Sequence, residues 1–274
     1  MLVNLALNHE VLVERPASPA SVLERVQLEE TALLLNPSAV SSGVTQVRVS
    51  DFGSSHLKYN ASSPDELALV NGARFLGVTY LGRDSSNNNL MKISVKGEER
   101  TYELLNIIQF SSARKRMTSV LRETGTGRIL VMCKGADSVL LPLLANTAAP
   151  RVRQLTARTV DCMNSFAREG LRTLLIVEKT LSQDEYESWN AEFTDAMNSI
   201  LDREAKVERC AQLLERDFEL VGSTGLEDKL QDGVADTVEM IRRAGVKLWV
   251  LTGDKTETAV NIGYASSLLD DKMN

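Results

Sequence analysis

The chain has 274 residues, of which 43% are hydrophobic and 25% charged, a balance that predicts a globular protein with a substantial core. Its formal net charge of −6 gives no support to nucleic acid as a partner. Its cysteines, Cys133, Cys162 and Cys210, are odd in number and lack a Cys-x-x-Cys spacing, which argues against a disulfide framework or a zinc site and favours a reducing environment.

The first 47 residues are predicted to form a short ordered segment followed by a loop region. Residues 1–15 indicate a helix, or a helix followed by a strand, without the basic region and cleavage site of a signal peptide. Residues 16–47 contain several prolines and are predicted to be a peripheral loop region with one short helix from Val22 to Leu35. No apolar run in the chain approaches the ~18 residues of a membrane span.

A helix is predicted to begin just after Ser63. Pro64 suits the first helical turn, and the acidic residues Asp65 and Glu66 follow it. Serine before the helix, proline in its first turn and acids near its N-terminus are start signals. The helix is predicted to end near Leu76.

From Val78 onward the hydrophobic pattern changes to a period of two, which indicates strands. Turn sequences such as Lys96-Gly97 and Thr124-Gly125-Thr126-Gly127 separate these segments and predict hairpins in an antiparallel sheet. The predicted strands are Val78–Leu81, Met91–Val95, Arg100–Phe110, Met117–Arg122 and Arg128–Cys133.

The second half of the chain alternates helices with strands. Up to residue 218 the predicted elements are helix Ser138–Leu144, helix Val152–Arg168, strand Leu171–Val177 and a helical region Gln183–Phe218. Beyond it they are strand Glu219–Gly225, helix Asp232–Ala244, strand Leu248–Leu251 and helix Glu257–Leu269. The last four predict a parallel, doubly wound β-α-β-α arrangement.

The order of these elements predicts one domain inserted into another. Residues 1–15 and 219–274 would form one α/β domain, and residues 16–218 would form an α+β domain around the antiparallel sheet. The loop Thr252-Gly253-Asp254 lies between a predicted strand and a helix, which is a common place for a bound phosphate. The alternative is a plain turn in which Asp254 caps the helix.

Three other segments carry residues suited to nucleotide binding, each with a simpler alternative. Lys134-Gly135-Ala136-Asp137 follows a strand, where Gly135 would let a ligand approach the backbone, or where a hairpin would end beside a solvated lysine. Phe110–Met117 joins an aromatic ring to three cations, either a base platform with a phosphate path or a charged edge strand. Gly170–Leu174 places Arg172 at a strand start, where a surface ion pair is the alternative.

Taken together, these segments resemble the cytoplasmic part of P-type ATPases, and within them the phospholipid-transporting subfamily (type IV, lipid flippases). The matching segments occur in the family's order and extend over nearly the whole chain. They are Ser63–Leu67, Phe110–Thr118, Lys134–Asp137, Gly170–Thr173, Glu227–Gln231, Trp249–Lys255 and Glu257–Tyr264.

The resemblance implies a fold and a set of site residues. The fold would be an antiparallel-sheet nucleotide-binding (N) domain inserted into a partial haloacid-dehalogenase-like, Rossmannoid phosphorylation (P) domain. Phe110 would stack on adenine, Lys134 would line the same pocket and Glu66 would lie at its polar end, while Lys115 and Arg172 would face the phosphates. The implied nucleotide-binding set is Glu66, Phe110, Ser112, Lys115, Lys134 and Arg172, and the implied phosphoryl contacts are Thr252, Gly253 and Asp254.

The resemblance also implies parts that this sequence does not contain. The family forms an aspartyl-phosphate in an Asp-Lys-Thr-Gly-Thr motif, expected upstream of Met1, and places Mg²⁺ with a motif expected downstream of Asn274. The cofactors would be ATP and Mg²⁺, with the metal ligands outside this chain. The parent would be a multi-pass membrane protein with this part on the cytosolic side, an accessory subunit, and a phospholipid carried through membrane helices absent here. Alone, the chain is predicted to be inactive.

Two alternatives to an ATPase part remain open. One is a stand-alone, non-catalytic nucleotide-binding or regulatory module, or a pseudo-enzyme. The other is a small-molecule phosphatase of the dehalogenase-like class, which requires a nucleophilic aspartate at a strand end, and no well-placed Asp-x-Asp sequence is found.

Overall fold

The computed structural model describes residues 1–14, 57–146, 149–227, 230–252 and 256–270. The protein is a mixed α/β fold, and none of the described helices is long and apolar enough to span a membrane. The helices are α1 Leu2–Leu7, α2 Pro64–Phe75, α3 Asp137–Leu140, α4 Pro150–Arg168, α5 Gln183–Asn198, α6 Arg203–Leu214, α7 Val234–Arg243 and α8 Thr256–Ala265. The strands are β1 Leu12–Glu14, β2 Lys58–Asn60, β3 Val78–Arg83, β4 Leu90–Val95, β5 Glu98–Ile108, β6 Arg116–Glu123, β7 Ile129–Gly135, β8 Arg172–Leu181 and β9 Glu219–Leu226.

The main sheet has seven strands, β3 to β9, and its strand order follows the chain order. Strand β4 pairs antiparallel with β3 and with β5, and β8 pairs antiparallel with β7 and with β9. The antiparallel sheet predicted from the period-two pattern is therefore confirmed. Strands β1 and β2 form a separate antiparallel pair.

The chain divides into two compact units, which we describe separately. The N-terminal unit comprises residues 2–105 and 121–127. At its core the Tyr59 hydroxyl donates a hydrogen bond to the Tyr80 carbonyl oxygen at 2.7 Å, and the ring of His9 packs edge-on against Tyr80. The His9 Nδ1 accepts from the backbone N–H of Val11 at 2.9 Å, and this contact orders the turn between α1 and β1.

The C-terminal unit comprises residues 1, 106–120 and 128–274. Helix α5 begins with a capping box. The Ser182 hydroxyl accepts a hydrogen bond from the Glu185 N–H, and the Glu185 carboxylate accepts one from the Ser182 N–H. Helix α6 packs against α5, where Trp189 donates to the Cys210 carbonyl oxygen at 2.8 Å and stacks on Phe193. The contact between the two helices therefore buries the rings of Trp189 and Phe193.

The predicted strand at residues 248–251 is wrong, since the structure assigns no strand there. Trp249 is 85% exposed and Leu251 is 96% exposed. Strand β9 pairs antiparallel with β8, so the parallel arrangement predicted for this segment is not formed among the described residues. An apolar run becomes a strand only where a neighbouring strand supplies hydrogen-bond partners, and no described strand lies beside this one. The helix predicted at Val22–Leu35 lies outside the described residues, and the division into an inserted and a flanking domain remains a prediction.

Candidate functional site

The turn between β5 and β6, residues 109–115, carries three of the predicted site residues. Phe110 is 61% exposed, and Ser112 and Lys115 are also exposed. The turn is closed by its own hydrogen bonds, from the Lys115 N–H to the Ser111 carbonyl oxygen at 2.8 Å and from the Arg114 N–H to the Ser111 hydroxyl at 3.2 Å. An exposed apolar ring and an exposed lysine thus lie on the same ordered turn.

The end of β7 lies directly against this turn. The Ala136 N–H donates to the Lys115 carbonyl oxygen at 3.0 Å. A β-carbon added to Gly135 would lie 2.6 Å from that oxygen and 2.6 Å from the Arg116 β-carbon. One of the two interpretations of this segment is that Gly135 lets a ligand approach the backbone, but the space beside it is filled by residues 115 and 116. The glycine therefore serves to bring the two loops together.

Lys134 lies near the end of β7, and Arg172 lies at the start of the neighbouring strand β8. Lys134 is 6% exposed and stands opposite Ile176 in the β7–β8 ladder. Arg172 is half-buried at the start of β8, three residues before Leu175, which stands opposite Gly135. At about 3.3 Å per residue, this spacing places Arg172 roughly 10 Å along the strand from that pair.

Charged side chains at the C-terminal end of this turn form a buried cluster with residues of α6. We call it the Glu215 cluster (Arg114, Arg116, Thr118, Glu208 and Glu215). The Glu215 side chain is fully buried. Its carboxylate accepts from Arg114 Nη2 at 2.5 Å, from Arg116 Nε at 2.7 Å and from the Thr118 hydroxyl at 2.5 Å. Arg114 also donates to Glu208.

The cluster shifts the pKa values of Arg114 and of the nearby Cys133. Burial by itself lowers the pKa of Arg114, but the carboxylates of Glu215 and Glu208 outweigh it, so the pKa of Arg114 is raised. Burial, with Glu215 adding to it, raises the pKa of the nearby Cys133 thiol to about 12. Arg114 therefore stays charged, and the thiol stays protonated.

These contacts correct the sequence interpretation of the cationic run. Arg114 and Arg116 neither line a phosphate path nor deter pairing at an edge, because both are engaged with Glu215 and β6 lies between β5 and β7 in the sheet. Lys115 makes no ion pair with any residue that the structure describes. Sequence reasoning missed Glu208 and Glu215. Their i, i+7 spacing on one helical face, opposite the i, i+2 pair Arg114 and Arg116, is the signal that could have indicated them.

Glu66 belongs to the N-terminal unit and has a structural contact there. It lies in the first turn of α2, and its Oε2 accepts from the backbone N–H of Glu10 at 3.1 Å. The carboxylate thus links α2 to the segment between α1 and β1. Its predicted place at the polar end of a nucleotide pocket remains a prediction.

The predicted phosphoryl-contact loop is described only at its first residue. Thr252 is exposed, and Gly253 and Asp254 lie outside the described residues. An apolar groove of about 560 Å³ has Val246, Trp249 and Leu269 in its wall.

A second groove, of about 870 Å³, lies where β8 ends and α5 begins. Its lining includes Lys179, Asp184 and Arg216, and none of the predicted nucleotide-binding residues is among the residues that form it. We take the β5–β6 turn as the candidate site, because the exposed Phe110 ring and the exposed Lys115 of the predicted set lie there, whereas this groove mixes charges of both signs without an exposed aromatic ring.

A metal site does not emerge from the described part of the chain. Within residues 1–14, 57–146, 149–227, 230–252 and 256–270, no three His, Cys, Asp or Glu side chains are grouped so that they could hold a metal ion. The residues described here do not fit a resident Mg²⁺.

Comparison with known proteins gives a consistent result. Residues 26–233 match the family model described as the P-type ATPase cytoplasmic domain N. The chain is 46% identical over 216 residues to phospholipid-transporting ATPase DNF1 of Chaetomium thermophilum, which is 79% of this chain and 13% of that protein. It is 43% identical over 218 residues to phospholipid-transporting ATPase DRS2 of Saccharomyces cerevisiae, covering 80% and 16%. It is 41% identical over 233 residues to phospholipid-transporting ATPase 10 of Arabidopsis thaliana, covering 84% and 19%. The chain therefore spans less than a fifth of each of these relatives.

Proposed function

The chain belongs to the P-type ATPase family, as part of its cytoplasmic domain N, and from this premise we propose that it binds ATP, supplied as Mg-ATP. The binding site is the β5–β6 turn together with the end of β7 and the start of β8. The observation that supports this proposal is the exposed ring of Phe110 on the same ordered turn as Lys115, held against Lys134-Gly135 by the Ala136–Lys115 hydrogen bond.

The base is bound by stacking on Phe110. Stacking of a nucleobase on an aromatic side chain contributes about 1–3 kcal/mol per base, and an exposed ring on an ordered turn is already placed for it. The Ser112 hydroxyl lies two residues away and supplies a hydrogen-bonding group near the ring. Lys134 lines the same pocket, where its aliphatic stem packs and its ammonium faces polar atoms of the nucleotide.

The phosphates are bound by Lys115 and Arg172. Lys115 is exposed and has no ion pair with a described residue, so its charge is available to an anion. The guanidinium of Arg172 suits two phosphate oxygens at once. The separation of roughly 10 Å along β8 suits a ligand that extends from its base to its triphosphate.

The finer role in a longer protein is proposed from the family resemblance alone. There, Glu66 lies at the polar end of the pocket, and Thr252, Gly253 and Asp254 contact the phosphoryl group as it is transferred to an aspartate outside this chain. The relatives are phospholipid-transporting ATPases by name. We therefore propose that the whole protein is a membrane-bound, ATP-driven phospholipid translocase that acts with an accessory subunit.

Titration with a fluorescent ATP analogue, followed by displacement with ATP, tests the proposal. Phe110→Ala and Lys134→Ala are each expected to weaken binding about tenfold, which corresponds to about 1.4 kcal/mol. Trp249→Ala removes an aromatic ring that is 85% exposed in another loop, and Lys206→Ala removes an exposed lysine from α6, so both serve as matched controls. Unchanged affinity in both site variants would rule out this pocket.

A further inference from the structure

We infer that Glu215 is a positioning residue for the nucleotide site, which orients the Lys115 side chain toward the phosphates by holding the arginines on either side of it. The inference rests on the proposed ATP site. Arg114 Nη2 contacts Glu215 Oε1 at 2.5 Å, and Arg116 Nη2 contacts Glu215 Oε2 at 2.6 Å. Both neighbours of Lys115 are therefore bound to one buried carboxylate, while Lys115 itself is exposed.

The backbone of Lys115 requires such support. Its φ of 52° lies in the left-handed region, which a residue with a β-carbon seldom adopts unless its surroundings hold it there. Its N–H donates to Ser111, and its carbonyl oxygen accepts from Ala136. The two arginine contacts act on the residues before and after it, so four interactions hold this part of the backbone and with it the direction of the Lys115 side chain.

The position of Glu215 is itself well defined. It is the residue that caps α6, and its N–H donates to the Ala211 carbonyl oxygen at 2.8 Å. Thr118 on β6 donates to the same carboxylate at 2.5 Å. The carboxylate is thus held by helix α6 and by strand β6. Because Arg114 and Arg116 bind this carboxylate, it limits the movement of the turn between them.

Charge balance gives Glu215 a second effect on the site. Arg114 and Arg116 carry two positive charges, and Glu208 and Glu215 carry two negative charges within the same cluster. The cluster is therefore neutral, and of the three consecutive cations the charge of Lys115 is the one left for an anionic ligand. Phosphates bound there would be recognised by Lys115 at a geometry that Glu215 sets.

A double-mutant cycle, read out with ATP and with adenosine as competitors of a fluorescent nucleotide, tests this role. Lys115→Ala is expected to weaken ATP binding about tenfold, since it loses a charge-assisted contact, and to leave adenosine binding nearly unchanged. Glu215→Gln is expected to produce the same selective loss. The double variant should bind ATP no more weakly than either single variant, because the two residues act through one contact.

The control variant is Lys206→Ala, which removes an exposed lysine of α6 whose bond to Ser199 lies outside the Glu215 cluster, and it should leave the preference for ATP over adenosine unchanged. A Glu215→Gln variant that loses ATP and adenosine equally, or a double variant with additive losses, would overturn the inference. If Lys115→Ala and Phe110→Ala both leave ATP binding intact, the proposed function fails and the inference fails with it. If only Glu215→Gln lacks the selective loss, the inference alone fails.

Amide hydrogen exchange without nucleotide provides an independent readout. The Lys115 and Ala136 N–H groups report on the turn and on its contact with β7. Both are expected to exchange at least tenfold faster in Glu215→Gln and to keep the original rates in Lys206→Ala. If Glu215→Gln does not fold, Glu208→Gln is used, because Glu208 is about one-third exposed and its loss frees Arg114 only in part. Unchanged exchange at Lys115 and Ala136 in that folded variant would contradict the inference.

Discussion

The α-hydrogen of Gly135 faces the carbonyl oxygen of Lys115 so closely that a β-carbon there would lie 2.6 Å away. The space is occupied by the Lys115 carbonyl oxygen and by the α- and β-carbons of Arg116, not by the far end of a flexible side chain, so neither residue can move aside at low cost. The contact joins the turn that carries Phe110 to the strand that carries Lys134, and the candidate site depends on it.

Gly135→Ala is therefore expected to lower the free energy of unfolding by roughly 1–3 kcal/mol, the usual cost of forcing extra atoms into a packed place. It should also weaken nucleotide binding, because the turn must shift away from β7. Thermal and chemical unfolding, together with fluorescent-nucleotide titration, measure both effects.

Gly72→Ala is the matched control for this substitution. Gly72 lies inside α2, and a β-carbon there would meet no atom within 4 Å. Alanine at such a helical position typically stabilises a protein by roughly 0.5–1 kcal/mol. Equal stability changes at residues 72 and 135 would show that the close approach at Gly135 has no energetic consequence.

Catalysis by the isolated chain is expected to be absent. The sequence contains no Asp-Lys-Thr-Gly-Thr segment, so no residue in it matches the family's phosphoryl acceptor. With Mg-ATP in excess, phosphate release should not exceed the rate in buffer. Release from a generic phosphate ester would instead favour the phosphatase alternative, and release from ATP would contradict the assignment of the acceptor to a part outside this chain.

The three cysteines are expected to differ in reactivity. Cys162 is exposed on α4, whereas Cys133 and Cys210 are buried. Burial raises the pKa of the Cys133 thiol to about 12 and also raises that of Cys210, so at neutral pH neither forms the reactive thiolate. A chromogenic disulfide reagent should titrate one thiol in the folded chain and three in denaturant.

Cys162→Ser is the control for this experiment and should abolish the fast reaction. Fast modification of a second thiol in the folded chain would mean that β7 or α6 opens far more readily than its burial indicates.

Stability at alkaline pH is expected to depend on Tyr59. Burial raises its pKa to about 12, above the ordinary value of 10.0, although Arg74 opposes the shift. A raised folded-state pKa means that the stabilisation is fully present below pH 10 and is lost as the pH rises from about 10 to about 12, because the unfolded state releases the proton first. Unfolding temperatures measured from pH 8 to pH 11.5 should fall more steeply in the original chain than in Tyr59→Phe.

Tyr59→Phe also removes the hydrogen bond to the Tyr80 carbonyl oxygen, so its stability at pH 8 should be lower by about 1 kcal/mol. Tyr264→Phe, at a residue that is 49% exposed, is the control and should not change the stability at pH 8. Parallel pH profiles for the original chain and Tyr59→Phe would be inconsistent with a buried, titrating Tyr59.

Local signals predicted most of the elements. The start of α2 follows from Pro64 and the acids after it, and the strands from Val78 to Gly135 follow from a period-two pattern with glycine-containing turns between them. The resemblance to P-type ATPases, carried by short segments in a set order, is confirmed by the match over residues 26–233. The six nucleotide-binding residues and the domain boundaries remain predictions.

What the sequence by itself determined is the set of elements and the family, because propensities, turns and motifs depend on residues a few positions apart. Only the tertiary structure decided that Arg114 and Arg116 bind Glu215, 101 and 99 residues away, and that Lys115 alone of the three cations remains exposed. It also decided that residues 248–251 do not form a strand. Long-range pairing depends on which surfaces meet in the folded chain. The local sequence around a cation is the same whether its side chain is later buried against a carboxylate or exposed to solvent.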